Sequence, residues 1–114
     1  MVDDDEDILM LMRVLLTSNN FEVVTAKNGT IGLEKVISEK PDLVLLDIDM
    51  PEMNGFEVLE RIKGNPVTKS IPVLMLTARS GGADFERAIN GDADRYVAKP
   101  FKSKFLLEKI NQLL

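Results

Sequence analysis

The sequence predicts an α/β fold: an open parallel sheet with helices on both faces. Three observations predict it. Pro41-Asp42 is followed by the unbroken apolar run Leu43 to Leu46, and a short run without alternation suits a strand covered on both faces. Two later runs, Ile71 to Thr77 and Tyr96 to Lys99, are likewise short, apolar and closed by a polar or charged residue. The segments between them space their apolar residues as helices do, and strands alternating with helices imply parallel pairing through right-handed crossovers.

In chain order, Met1-Val2 is all that stands before Asp3-Asp4-Asp5-Glu6-Asp7. Ile8, Leu9, Leu11, Met12, Leu15 and Leu16 then mark the apolar face of a helix from about Asp5 to Ser18, whose first-turn acids complement the macrodipole. Phe21 to Thr25 alternates and is β-branched, so a strand is expected there. Asn28 is placed to cap a helix over about Gly29 to Glu39, with Ile31, Leu33, Val36 and Ile37 inward. Gly32 inside it costs up to roughly 1 kcal/mol against alanine. The strand Leu43 to Asp47 follows, then the Pro51–Gly55 loop and a helix marked by Phe56, Val58, Leu59 and Ile62. That helix stops at Gly64-Asn65-Pro66. After the strand Ile71 to Thr77, a Gly-containing loop leads to a short helix around Ala83 to Asn90. Tyr96 to Lys99 is the last strand. Pro100-Phe101 turns the chain into a final helix, about Ser103 to Leu113, with Phe105, Leu106, Ile110 and Leu113 inward.

The 114 residues form one domain, residues 1–114, with 45% hydrophobic and 29% charged residues. No apolar run is long enough to span a bilayer, and the acidic N-terminus is not the basic lead-in of a signal peptide. The absence of cysteine excludes disulfides and thiolate chemistry and fits a reducing cytoplasm. The absence of histidine removes the commonest general base and zinc ligand. A net charge of −5 argues against direct nucleic-acid binding, which rests on Lys and Arg at phosphates.

Asp47 ends the central apolar run. On its own it reads equally well as a strand terminator or as an active residue, since sites of open α/β sheets lie at the carboxyl ends of the strands. The other strand ends deliver Asp3 and Asp4, Thr77 and Lys99 to the same edge. Three carboxylates brought together repel, and a pair about 4 Å apart costs on the order of 4 kcal/mol at an effective dielectric of 20. A divalent cation relieves that repulsion, and an all-oxygen set without His or Cys selects Mg²⁺ or Mn²⁺ over zinc. Mg²⁺ takes substrate phosphate oxygens as well, which makes Asp47 a candidate nucleophile toward phosphorus. The Lys99 ammonium and Thr77 hydroxyl are then suited to neutralising phosphoryl oxygens.

At these residues the chain resembles the receiver domains of two-component response regulators, particularly the stand-alone chemotaxis and sporulation regulators. The motifs are Asp3-Asp4, the loop Asp47-Ile48-Asp49-Met50-Pro51-Glu52-Met53-Asn54-Gly55, Thr77-Ala78 and Lys99-Pro100-Phe101. The likeness runs from Val2 to the last helix. It implies a flavodoxin-like, doubly wound five-stranded sheet of order 2-1-3-4-5. It also implies phosphorylation of Asp47 by a histidine kinase or phosphotransfer protein. Mg²⁺ would be held by Asp4, Asp47 and the backbone carbonyl of Asp49, with Asp3 joining through water. Thr77 and Tyr96 would reorient on phosphorylation and remodel the face of the fourth helix, fifth strand and fifth helix toward an effector or output domain. The Lys99–Pro100 bond is expected to be cis. By the same likeness the chain is a cytoplasmic signalling domain, not an enzyme with an external substrate, and either a single-domain regulator or the receiver of a longer chain.

Two departures stand out. Receivers carry a full apolar strand before the acidic pair, whereas here only Met1 and Val2 precede it. A central strand cut this short leaves neighbouring amides without partners, so reduced stability, or recovery through a homodimer or strand exchange, is expected. Asp92 stands where the family more often has glycine, although the adjacent Gly91 is able to take the positive φ. Asp49 and Arg79 flank the site and are expected to set the phosphoryl lifetime by pairing across its mouth. Two rival readings remain at this point. One is a receiver that acts as a docking module without phosphorylation. The other is a haloacid-dehalogenase-type phosphatase, which also places Asp-x-Asp after a strand but expects Thr or Val at the position of Pro51.

Overall fold

The computed structural model describes residues 1–48, 50, 53–77, 95–98 and 102–114. Their order is α1 (Glu6–Ser18), α2 (Gly29–Glu39), β1 (Val44–Asp47), α3 (Gly55–Gly64), β2 (Val73–Thr77), β3 (Arg95–Ala98) and α4 (Ser103–Leu113). The predicted helix around 83–90 lies outside the described residues.

Capping explains three helix starts. Asp5 accepts the N–H of Asp7 at 3.0 Å and of Ile8 at 3.3 Å, starting α1. The Asn28 side-chain oxygen takes the Ile31 N–H at 2.8 Å, and the Asn54 oxygen takes the Glu57 N–H at 3.1 Å. Each satisfies an amide that has no partner in a first helical turn. At the far end of α3, buried Thr68 donates its hydroxyl to the Ile62 carbonyl at 2.7 Å, and Lys63 Nζ reaches the Ile71 carbonyl at 2.9 Å. These bonds tie the helix to the entry of β2.

The strands pair in parallel in the order β1-β2-β3, with Val44 opposite Val73, Asp47 opposite Leu76 and Thr77 opposite Ala98. Alternation along them builds two cores. Val44 and Leu46 pack with Val73, Met75 and the α3 residues Phe56, Val58, Leu59 and Ile62. Leu45, Leu74 and Leu76 pack on the other face with Met12 and Leu16 of α1 and Leu106 and Ile110 of α4. The sheet is therefore doubly wound, α2 and α3 on one side and α1 and α4 on the other. Each fully buried Leu, Ile or Val contributes about 1.5–3 kcal/mol relative to exposure, which makes these two layers the main source of stability.

Two elements differ from their sequence readings. Phe21 to Thr25 is not a regular strand: Val2 instead forms isolated parallel bridges with Ala26 on one side and Leu46 on the other. The Val2 N–H donates to Leu45 O at 2.8 Å, the Asp47 N–H to Val2 O at 3.0 Å, the Ala26 N–H to Met1 O at 3.0 Å and the Asp3 N–H to Ala26 O at 3.1 Å. Met1 to Asp3 thus lie between Ala26 and β1, in the central place expected of the first strand. They supply too few residues for a ladder along Phe21 to Thr25.

The second difference concerns helix faces. Ile37, Leu11 and Phe105, read as inward, are 47%, 69% and 46% exposed. In α2 the inward stripe is Gly29, Gly32 and Val36. A Cβ on Gly32 would lie 2.8 Å from a Val2 methyl, so the helix turns its smallest residue toward the sheet and Ile37 outward. The glycine that weakens the helix is what allows it to sit over Val2.

Candidate functional site

Asp47 is the last residue of β1 and is buried, at 4% exposure. Its backbone is held from two directions: its own N–H donates to Val2 O, and the next amide, Ile48 N–H, donates to Leu76 O of β2 at 2.9 Å. The Ile48 carbonyl accepts from Met50 N–H at 3.1 Å and Gly55 N–H at 3.0 Å, which fastens the start of α3 to the strand end.

Asp3 arrives from the N-terminal bridge segment and is 1% exposed. One of its carboxylate oxygens accepts the Asp5 N–H at 2.9 Å, which orients it beneath the first turn of α1. Asp4 beside it is exposed. Asp3, Asp4 and Asp47 each present a carboxylate oxygen within 4.8 Å of the others. This fits a hard divalent cation: all donors are oxygen, two are held by surrounding structure, and exposed Asp4 leaves a side open for water and phosphate ligands. The two buried acids come from separate segments, so the cluster is a product of the Val2 bridges.

Of the other sequence-predicted residues, Thr77 closes β2 one position beyond the partner of Asp47, and its backbone pairs with Ala98 of β3. The Tyr96 backbone pairs with Met75. The parallel register therefore brings the ends of β1, β2 and β3 to one edge. Asp49, Arg79, Asp92, Lys99 and Pro100 lie outside the described residues.

Gly55 has a role that reading the sequence as a loop and helix start did not assign. A Cβ there would press on the carbonyl oxygen of Asp47 and lie 2.8 Å from Ile48 Cα. The start of α3 thus abuts the backbone that carries the buried acid, and the signal for it is a glycine directly after the Asn54 cap.

Comparison with known proteins agrees with this geometry. The family model of the response regulator receiver domain matches residues 1–111. The chain is 35% identical over 112 residues to response regulator PleD of Caulobacter vibrioides, covering 98% of this chain and 25% of PleD. It is 37% identical over 100 residues to the transcriptional regulatory protein KdpE of Mycobacterium tuberculosis, covering 88% of this chain and 43% of KdpE. It therefore spans less than half the length of these two curated relatives. Among solved structures, the chemotaxis protein CheY4 of Vibrio cholerae superposes with a TM-score of 0.93 at 29% identity, covering 99% of this chain and 94% of CheY4.

Proposed function

We propose that this chain, which belongs to the response regulator receiver domain family of two-component signalling, accepts a phosphoryl group on Asp47 from the phosphohistidine of a histidine kinase or phosphotransfer protein. The observation that supports it is the buried Asp47 carboxylate at a strand end, within 4.8 Å of the Asp3 and Asp4 carboxylates.

In this reading an Asp47 oxygen attacks phosphorus, the P–N bond to the donor imidazole breaks, and an acyl phosphate forms while the imidazole leaves. Bound Mg²⁺ would supply charge neutralisation for the phosphoryl oxygens, held by Asp4, Asp47 and the Asp49 carbonyl with Asp3 acting through water. The work of the chain's own residues is positioning. Val2 and Leu76 hold the Asp47 backbone from both sides, and the Asp5 amide fixes Asp3. Thr77 and Lys99 take the roles of hydroxyl and ammonium at the phosphoryl oxygens. Asp49 and Arg79 set how readily water reaches the acyl phosphate, so Asp49→Ala and Arg79→Ala each alter the dephosphorylation rate. The only turnover is then transfer to Asp47 itself and slow self-dephosphorylation. The signal passes through Thr77 and Tyr96 to the surface of β3, α4 and the segment 83–90, where an effector or an output domain reads it. A cytoplasmic location goes with such a donor.

The test is incubation with acetyl phosphate and Mg²⁺ followed by intact-mass measurement. A gain of one phosphoryl group that disappears in Asp47→Ala is expected. No gain in the unaltered chain would leave a docking module, and turnover of a generic phosphomonoester would favour a phosphatase.

A further inference from the structure

The chain has six methionines and no cysteine, so its oxidisable sulfur is all thioether. Their surroundings divide them. Met12, Met50 and Met75 are buried in the two cores, at 3%, 7% and 0% exposure, while Met10 stands in water on α1 at 69%. Met53 lies between these extremes: it is half-buried and packs against the core on the α2–α3 side of the sheet.

The place Met53 occupies is tight and close to the acidic site. A Cβ on Gly29, the first residue of α2, would lie 3.1 Å from both Cβ and Cγ of Met53 and 2.9 Å from a Val58 methyl. Glycine at this point lets α2 close over Met53 and α3 together. Met53 directly precedes Asn54, whose side chain caps α3. Next comes Gly55, whose N–H donates to the Ile48 carbonyl at 3.0 Å and whose Cβ position falls against the Asp47 carbonyl. The thioether is thus attached to the chain just ahead of the backbone contact that abuts the buried acid.

We propose that Met53 is a site of reversible oxidation by hydrogen peroxide or organic peroxides, and that its sulfoxide weakens the phosphoacceptor site; the second half rests on the reading of Asp47 given above. The sulfur lone pair attacks one peroxide oxygen and the O–O bond breaks. The other oxygen leaves with the bonding pair and takes up the proton of the transferred oxygen, giving water or an alcohol. The thioether is oxidised by two electrons to the sulfoxide, and the peroxide is reduced by the same two. The S=O group is polar and calls for water or a hydrogen-bond donor. Against Gly29 and Val58 it meets an apolar contact with no space to spare, so it turns outward and draws the start of α3 with it. The approach of Gly55 to Asp47 is then lost. Half-burial admits the oxidant to Met53 in the folded chain, and burial withholds it from Met12, Met50 and Met75. Met10 oxidises sooner, but in water, where an added oxygen disturbs no packing.

The test uses the Met10→Leu chain, treated with hydrogen peroxide and mapped by fragmentation mass spectrometry. Expected are oxygen gain at Met53 ahead of Met12, Met50 and Met75, a lower Tm, and phosphorylation by acetyl phosphate about tenfold slower. Methionine sulfoxide reductases with dithiothreitol should restore both Tm and rate. Leucine keeps the volume at position 53 and cannot be oxidised. In the chain carrying both Met10→Leu and Met53→Leu, the same treatment should therefore change neither quantity. That comparison also separates Met53 from Met1, which is half-buried against the other core. The inference is overturned if Met53 resists oxidation until the buried methionines react, if its sulfoxide leaves Tm and rate unchanged, or if the doubly substituted chain is equally sensitive. An untreated chain that takes up no phosphoryl group would refute the reading of Asp47 itself, a failure distinct from these three.

Discussion

Gly55→Ala tests how closely the site depends on the approach of α3 to β1. The added methyl would press on the Asp47 carbonyl and lie 2.8 Å from Ile48 Cα and 3.1 Å from the Asp47 carbonyl carbon. All three are backbone atoms of a strand end already bonded to Val2 and Leu76, so none can swing aside. Carbon atoms settle at about 3.5–4.0 Å, and α3 therefore has to withdraw by roughly 0.7–1 Å. That movement loosens Phe56, Val58, Leu59 and Ile62, all at most 4% exposed. Overpacking of this kind costs about 1–3 kcal/mol, and the gain in helix propensity offsets up to roughly 1 kcal/mol. A net loss of about 1–2 kcal/mol corresponds to a fall in Tm of roughly 4–10 °C for a domain of this size. Phosphorylation by acetyl phosphate should slow as well, because the displaced atoms carry Asp47. Gly64→Ala is the control: nothing lies within 4 Å of its Cβ position, so its stability should be unchanged or up to roughly 1 kcal/mol higher. Both variants are read by thermal and urea denaturation. If Gly55→Ala melts with the unaltered chain, or Gly64→Ala loses as much as Gly55→Ala, the steric argument is wrong.

The remaining predictions concern charge and hydrogen bonding. Mg²⁺ should raise Tm in a saturable way, by an amount equivalent to about 2.7 kcal/mol at a hundredfold excess over Kd, less in Asp4→Asn and not at all in Asp47→Asn; chelation with EDTA should stop phosphorylation. The Met1 ammonium has its pKa lowered from 8.0 to about 6, by burial first and by Arg13 second. The unfolded chain therefore binds a proton between these values that the folded chain does not. Stability should rise with pH from about 6 to 8 through this group, and the slope should shrink when the amino group is acetylated. Thr68→Val removes the buried hydroxyl that donates to Ile62 O and should cost about 1–2 kcal/mol in urea denaturation without affecting phosphorylation.

Much of the fold was legible along the chain because its signals are local. Asn28 caps the helix it precedes, as its position predicts, and the bounds of α1 and α2 follow the apolar spacing closely, while the caps at Asp5 and Asn54 came from the structure. The apolar runs before Asp47 and Thr77 are strands because a parallel sheet covered on both faces has no polar side to alternate with. Helix faces were less legible. Leu11, Ile37 and Phe105 are apolar at helical spacing yet exposed, since the face a helix buries depends on what lies beneath it. For α2 that is Val2, more than two dozen residues away in sequence.

The residue types alone carried the proposed chemical reading: acids without histidine or cysteine, together with the hydroxyl of Thr77 and the ammonium of Lys99 in the sequence motifs, point to hard-cation and phosphoryl chemistry. Contact distances did not follow from residue types. The cluster of Asp3, Asp4 and Asp47 within 4.8 Å exists because Val2 bridges Leu46 and Ala26 and sets the N-terminus beside β1. Hydrogen-bond register between distant segments decides such proximity, and register is a property of the assembled sheet.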